Sequence, residues 1–320
     1  SGSSVAASVA SGGVLIPMEE KEGYDKKFAA AVNIASAPTG LIIPPSGILI
    51  IYPVLAGCSV VGMIMSGYIP GLMWALACMV VAYVIAKKNH YPTAGKVPAS
   101  VFFKYFVDAI PSLLLIVIIV GGVMSGIFTA TESAAVAVAY TLFLSIVVYR
   151  SIKIKDLPKI LLDACETTAV IMFLIAGSNV MSFVMSFTGL PSAIGNALIS
   201  VSSNKYVILL IINLVLLVVG CFMDITPAVL IFTPIFLPVV QSFGMDPIHF
   251  GIMMVMNLGI GNITPPVGSA LFSGCSVADM DMEDMIKPIL PFYAAIFVAL
   301  MLVAYVPWFS MALPTLFGAV

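Results

Sequence analysis

Two proline pairs carry the clearest chemical signal in this sequence. Ile42-Ile43-Pro44-Pro45-Ser46-Gly47 matches Ile263-Thr264-Pro265-Pro266-Val267-Gly268 at an offset of 221 residues. Both pairs lie in long apolar stretches. A proline there has no N–H to give, so it interrupts a helix. An interrupted helix exposes carbonyl oxygens at one half-helix end and N–H groups at the other. Carbonyls suit a small hard cation such as sodium, and N–H groups suit a carboxylate. The first candidate sodium site draws on Ser1 and Ser3, with carbonyls near Gly40, Ile43 and Pro45. The second draws on Asp224 and Thr226, with carbonyls near Gly261, Thr264 and Pro266. Ser46 and Asn262 are further polar groups near the midplane and are the candidate contacts for a bound anion.

Each of these residues also has a plainer reading. A lone proline in a membrane helix makes a kink. Asp224 can cap a helix or close a hairpin turn, although an acid within a membrane points to function. Ser1 and Ser3 can be small residues for close packing. Glu132, in Thr129-Ala130-Thr131-Glu132, reads as a helix cap rather than a ligand. The five cysteines read as small core residues, because no two are close in sequence.

The elements that must position these groups span a membrane. Of the 320 residues 61% are hydrophobic and only 9% charged. That balance excludes a soluble domain and predicts an all-α polytopic membrane protein. Residues 28–86, 109–131, 167–204, 247–278 and 288–320 contain no Asp, Glu, Lys or Arg. No basic patch for nucleic acid is present.

The expected spans are 28–58 (broken near Pro38–Gly47), 68–86, 109–129, 132–149, 160–186, 247–275 (also broken) and 288–312. Residues 89–108 read as polar and interfacial, and 187–204 as a Gly/Pro/Ser-rich link. Residues 206–222 and 227–242 read as two arms of a re-entrant hairpin meeting at Asp224. Residues 1–18 read as the second arm of another.

Loops bearing Lys87, Lys88, Lys96 and Lys104, and Arg150, Lys153, Lys155 and Lys159, mark the cytoplasmic side. The two 221-offset copies then enter the membrane from opposite faces, which is an inverted repeat. The second copy has roughly a hundred more residues ahead of the matching point, so the first copy is expected to be N-terminally truncated. Four parts follow. Residues 1–67 form the first-repeat transport part, 68–205 mainly scaffold, 206–280 the second-repeat transport part and 281–320 a last scaffold helix.

The ordered set Ser1-Gly2-Ser3-Ser4-Val5-Ala6, Gly23-Tyr24-Asp25, Ile43-Pro44-Pro45-Ser46, Gly126-Ile127-Phe128-Thr129-Ala130-Thr131-Glu132-Ser133-Ala134 and Ile263-Thr264-Pro265-Pro266-Val267-Gly268 resembles the large membrane subunit of TRAP transporters. These are the tripartite ATP-independent periplasmic transporters of the dicarboxylate and sialic-acid uptake type. The resemblance covers essentially the whole chain. Ala130 departs from it, standing where a proline is common in the family.

The resemblance implies an elevator-type secondary transporter of the bacterial inner membrane, not an enzyme. It would import an organic anion by Na+ symport. A periplasmic substrate-binding protein would deliver the anion, and a small four-helix membrane subunit would enlarge the scaffold. The implied sodium ligands are Ser1, Ser3, Gly40, Ile43 and Pro45, then Asp224, Gly261, Thr264 and Pro266. The nearest rival is a sodium-coupled dicarboxylate or citrate carrier that works without a binding protein. An intramembrane hydrolase would need a second acid for Asp224, or a Ser–His pair at one depth, and neither is evident. A passive channel would be excluded by accumulation against a gradient.

Overall fold

The computed structural model describes residues 2–319 except 93–97, 123–126, 190–192, 195, 198–199, 201 and 203. The described residues are helical, with no strand among them. In chain order α1 spans Ser4–Lys21, α2 Lys26–Ser36, α3 Thr39–Ile42, α4 Ile48–Ala56, α5 Val60–Ser66 and α6 Tyr68–Lys88. Next come α7 (Ala99–Ile116), α8 (Ala130–Phe143) and α9 (Leu157–Thr188). The remainder holds α10 (Lys205–Phe222), α11 (Ile225–Ser242), α12 (Pro247–Asn262), α13 (Ser269–Val277), α14 (Met282–Tyr305) and α15 (Trp308–Leu316). Among the described residues seven helical segments are long and apolar enough to cross a membrane. The chain is an all-α, multi-pass membrane protein.

The repeat seen in the prolines is a repeat of helices. Helices α1 and α11 begin and end 221 residues apart, as do α4 and α13. Helices α2 and α12 begin 221 apart for a visible reason. Asp25 and Asp246 each precede the helix and accept from the N–H two residues on, at 2.8 Å in both cases. Such a cap stabilises a helix start by about 1 kcal/mol.

The copies diverge where Pro38 stands in the first and Gly259 in the second. Pro38 cannot donate, so the first copy is split into α2 and α3 while α12 runs on to Asn262. The Ala35 carbonyl beside that split is taken by the Trp74 indole N–H at 2.9 Å, which ties α6 to α2.

Contacts divide the chain into two units, Ser1–Pro92 with Ser178–Val320, and Thr93–Gly177. The first holds both broken helices together with α6, α14 and α15. Its core is built around α12, where every residue from Ile248 to Asn262 is buried. Small residues make close approach possible. Ser4, Ser8, Gly12 and Ile16 form the buried stripe of α1. Along it the Asn33 amide donates to the Ser8 carbonyl at 2.9 Å, and the Ser8 hydroxyl donates to the Ala270 carbonyl at 3.3 Å. Tyr52, fully buried on α4, donates to the Pro247 carbonyl at 2.6 Å. An ion pair of 2.6 Å joins Lys27 to Asp284 where α2 and α14 begin.

In the second unit the Tyr140 hydroxyl donates to the Pro111 carbonyl at 2.7 Å, and Ser133 to the Ile119 carbonyl at 3.0 Å, clasping α8 to α7 and its continuation. Glu132 forms a capping box with Thr129, in keeping with its reading as a cap.

Three boundaries and one cysteine differ from the sequence reading. Helix α7 begins at Ala99 rather than near 109. Lys104 and Asp108 are single charges on an otherwise apolar helix, and counting charge-free residues cut it short. Helix α11 begins at Ile225, so Pro227 lies inside its first turn, where no intrahelical N–H is required. The last span is two helices. Val306 is pushed to φ −118°, ψ 97° before Pro307, and α15 restarts after it. Cys165 is exposed on α9, so it is not a core residue, unlike the buried Cys78 and Cys275. Much of the Gly/Pro/Ser-rich link near 190–203 lies outside the described residues.

Candidate functional site

Each proline pair opens a gap between two helices, residues 43–47 in the first copy and 263–268 in the second. Both Pro44-Pro45 and Pro265-Pro266 are cis. A tip meets each gap, the start of α1 at the first and the turn between α10 and α11 at the second.

At the first gap the Gly2 N–H donates to the Gly40 carbonyl at 2.9 Å. In a helix that carbonyl would have been served by residue 44, which is proline. Gly2 has φ +75°, and a β-carbon on it would come within 2.9 Å of the Pro45 carbonyl oxygen. No other residue fits there comfortably. Ser3 follows as the cap of α1, its hydroxyl accepting from the Ala6 N–H at 3.4 Å. The structure therefore brings Ser3, Gly40, Ile43 and Pro45 to one place. Ser1 lies outside the described residues. Ser46 is 2% exposed, and its hydroxyl has no hydrogen-bond partner among the described residues. A buried unpartnered hydroxyl is costly, which marks this spot as one that favours a polar guest.

At the second gap the Val267 N–H donates to the Cys221 carbonyl at 3.2 Å, holding the gap to the end of α10. Gly261 meets Gly220 so closely that a β-carbon on it would lie 2.4 Å from the Gly220 carbonyl carbon. Thr264 folds back, its N–H on the Gly261 carbonyl at 2.9 Å and its hydroxyl on the Ile260 carbonyl at 2.6 Å. The Tyr293 hydroxyl of α14 donates to the Ile263 carbonyl.

Asp224 precedes α11 without capping it, and the Ser269 hydroxyl donates to its Oδ1 at 3.0 Å. Thr226 stands in the first turn of α11. Asp224, Gly261, Thr264 and Pro266 thus flank one gap. Asn262 is drawn elsewhere. Its amide N–H donates to the Ser4 hydroxyl at 2.6 Å, and its carbonyl oxygen accepts from Ser269. It links the start of α1 to the start of α13.

Two of the carbonyls that proline leaves without a helical donor are served from elsewhere, by the Gly2 N–H and the Thr264 N–H. Gly40 and Gly261 receive substitute donors. A carbonyl has two lone pairs, so each keeps one for a cation. The donor set around both gaps is oxygen throughout, with one carboxylate, and it fits a hard cation. Among the described residues no cluster of His, Cys, Asp and Glu suits a transition metal. His249 is buried with a ring nitrogen 2.8 Å from the Val303 carbonyl, away from either gap.

Residues that sequence reasoning did not single out include Gly2, Ser4, Ser269, Tyr293 and the buried pair Asn213 and Asn257. The Asn257 amide donates to the Asn213 side-chain oxygen at 2.7 Å, fastening α12 to α10. An asparagine inside each of two otherwise apolar runs was the available signal.

The family described as "Tripartite ATP-independent periplasmic transporter, DctM component" matches residues 1–309. The chain belongs to this family. Among curated relatives, protein YgiK of Salmonella typhimurium is 50% identical over 319 residues, covering 99% of this chain and 73% of that protein. The sialic acid TRAP transporter large permease protein SiaM of Vibrio cholerae is 38% identical over 317 residues (99% and 74%). The C4-dicarboxylate TRAP transporter large permease protein DctM of Pseudomonas aeruginosa is 37% identical over 318 residues (99% and 74%). As a TRAP large permease subunit, this chain is a transport protein of the bacterial inner membrane. Subunits of this kind work with a small membrane subunit and a periplasmic binding protein.

Proposed function

We propose that this subunit imports an organic carboxylate by Na+ symport. The observation that carries the reading is that the start of α1 and the turn between α10 and α11 lie against the two proline-made gaps, each rich in oxygen donors. Sodium at the first gap would be held by Ser3 and the carbonyls of Gly40, Ile43 and Pro45, with Ser1. At the second it would be held by Asp224 and Thr226 with the carbonyls of Gly261, Thr264 and Pro266. The ion supplies positive charge, since the stretches 28–86 and 247–278 that hold the gaps contain no Lys or Arg.

A carboxylate between the gaps is favoured by that charge and by the N–H ends of α4 and α13. Ser46 and Asn262 are its proposed side-chain contacts. The names of the Pseudomonas and Vibrio relatives support a C4-dicarboxylate or sialic acid as cargo. A periplasmic binding protein would deliver the anion, and a small four-helix subunit would widen the fixed part. In this reading the two gaps and tips move together against that part, as an elevator, and the two copies enter from opposite faces.

Reconstitution by omission tests the proposal. The full-length subunit, its small partner and the binding protein are placed in proteoliposomes with labelled C4-dicarboxylate or sialic acid. Uptake is expected only when every component and sodium are present. Equal uptake without the binding protein would replace this reading with that of a simple sodium-coupled carrier.

A further inference from the structure

Four side chains form a continuous line between the two tips. Ser4 begins α1 and is 3% exposed, and Asn262 ends α12 and is 2% exposed. Ser269 begins α13, and Asp224 precedes α11. The Asn262 amide N–H donates to the Ser4 hydroxyl at 2.6 Å. The Ser269 hydroxyl faces two acceptors, the Asn262 side-chain oxygen and Asp224 Oδ1, the latter at 3.0 Å. A hydroxyl has one proton, so Ser269 serves one of them at a time.

From this we infer that Asn262 and Ser269 are positioning residues that couple the two tips. The inference rests on the sodium reading above for what the tips hold. The line has two complete polarities. In one, Ser269 gives its proton to Asn262, and Asn262 donates to Ser4. Asp224 then keeps both oxygens for a cation. In the other, the Asn262 amide turns over, which exchanges its donor and acceptor ends without changing its shape. Ser4 then donates to Asn262, Asn262 donates to Ser269, and Ser269 gives its proton to Asp224. The lone pairs of Ser4 are now free at the first tip. An ion at Asp224 favours the first polarity, and an ion at the first gap that takes Ser4 as a ligand beside Ser3 favours the second, so each tip registers the state of the other through the shared line of hydrogen bonds.

The coupling is read from a double-mutant cycle. Asp224→Asn, Ser4→Ala and the double variant are made in the full-length subunit with its small partner. For each, the sodium concentration giving half of the sodium-induced rise in Tm is measured. The fold-changes of the single variants are expected to fail to multiply, by about three-fold or more. In a Ser269→Ala background they should multiply through, and Ser269→Thr, which keeps the hydroxyl, should restore the coupling. Asn262→Leu cuts the line at the next link and serves as the background if Ser269→Ala does not fold.

Multiplying fold-changes in the wild-type background would overturn the inference. So would coupling that survives the loss of Ser269. The same cycle run on Tm in sodium-free buffer separates the two readings. Coupling there through Ser269, with no sodium response, would uphold the line and remove the sodium site.

Discussion

Gly261 and Gly220 touch backbone to backbone, and that contact sets how closely α10 can approach the second gap. A β-carbon at Gly261 would lie 2.4 Å from the Gly220 carbonyl carbon. Neither partner is the end of a flexible side chain, so the helices themselves must part. Gly261→Ala is expected to destabilise the subunit by about 1–3 kcal/mol, as overpacking does. It should also move the Asp224 tip off the gap. A lowered Tm together with lost uptake would bear this out, and an unchanged Tm would contradict the contact. Asp224 is the single carboxylate at either gap. Asp224→Asn keeps the shape and the acceptor for Ser269 but removes the charge. Losing one charged ligand of about 1.5–3 kcal/mol raises the sodium needed for half-maximal uptake roughly 10- to 100-fold. A sodium curve that stays in place would exclude Asp224 from the ion site.

At the scale of elements, the proline pairs act by what they omit. Pro266→Ala returns an N–H that can close on the Asn262 carbonyl one turn earlier. The gap should then tighten toward helix, and sodium affinity should fall by about ten-fold, the worth of roughly one charge-assisted hydrogen bond. The sodium-induced rise in Tm measures it, and unchanged affinity would show that the gap is not formed by the missing donor. This is also why so much of the architecture was legible beforehand. Prolines and long charge-free runs act locally, so both gaps and the apolar arms beside them followed from the residues themselves, though not the helix ends. What stayed hidden depends on partners distant in sequence. Ser4 reaches Asn262 only once the two copies interlock, and Ser269 reaches Asp224 across the second gap, which nothing in Ser269-Ala270-Leu271 announces. The start of α7 was missed for a different reason. A helix tolerates Lys104 and Asp108 along its length, so charge marks its end poorly.

Over the whole molecule, a single idea joins the two copies. Each supplies a gap, each supplies a tip, and the side chains of Ser4, Asn262, Ser269 and Asp224 run between them. A protein built this way should tie the movement of its cargo to occupancy of both gaps, rather than conduct passively. The direct measurement is accumulation of labelled carboxylate by the full-length subunit, small partner and binding protein in proteoliposomes. An inward sodium gradient is compared with equal sodium on both sides. The account predicts accumulation above equilibrium under the gradient and equilibration, or nothing, without it. Equal accumulation in both conditions would contradict sodium coupling at the proline gaps.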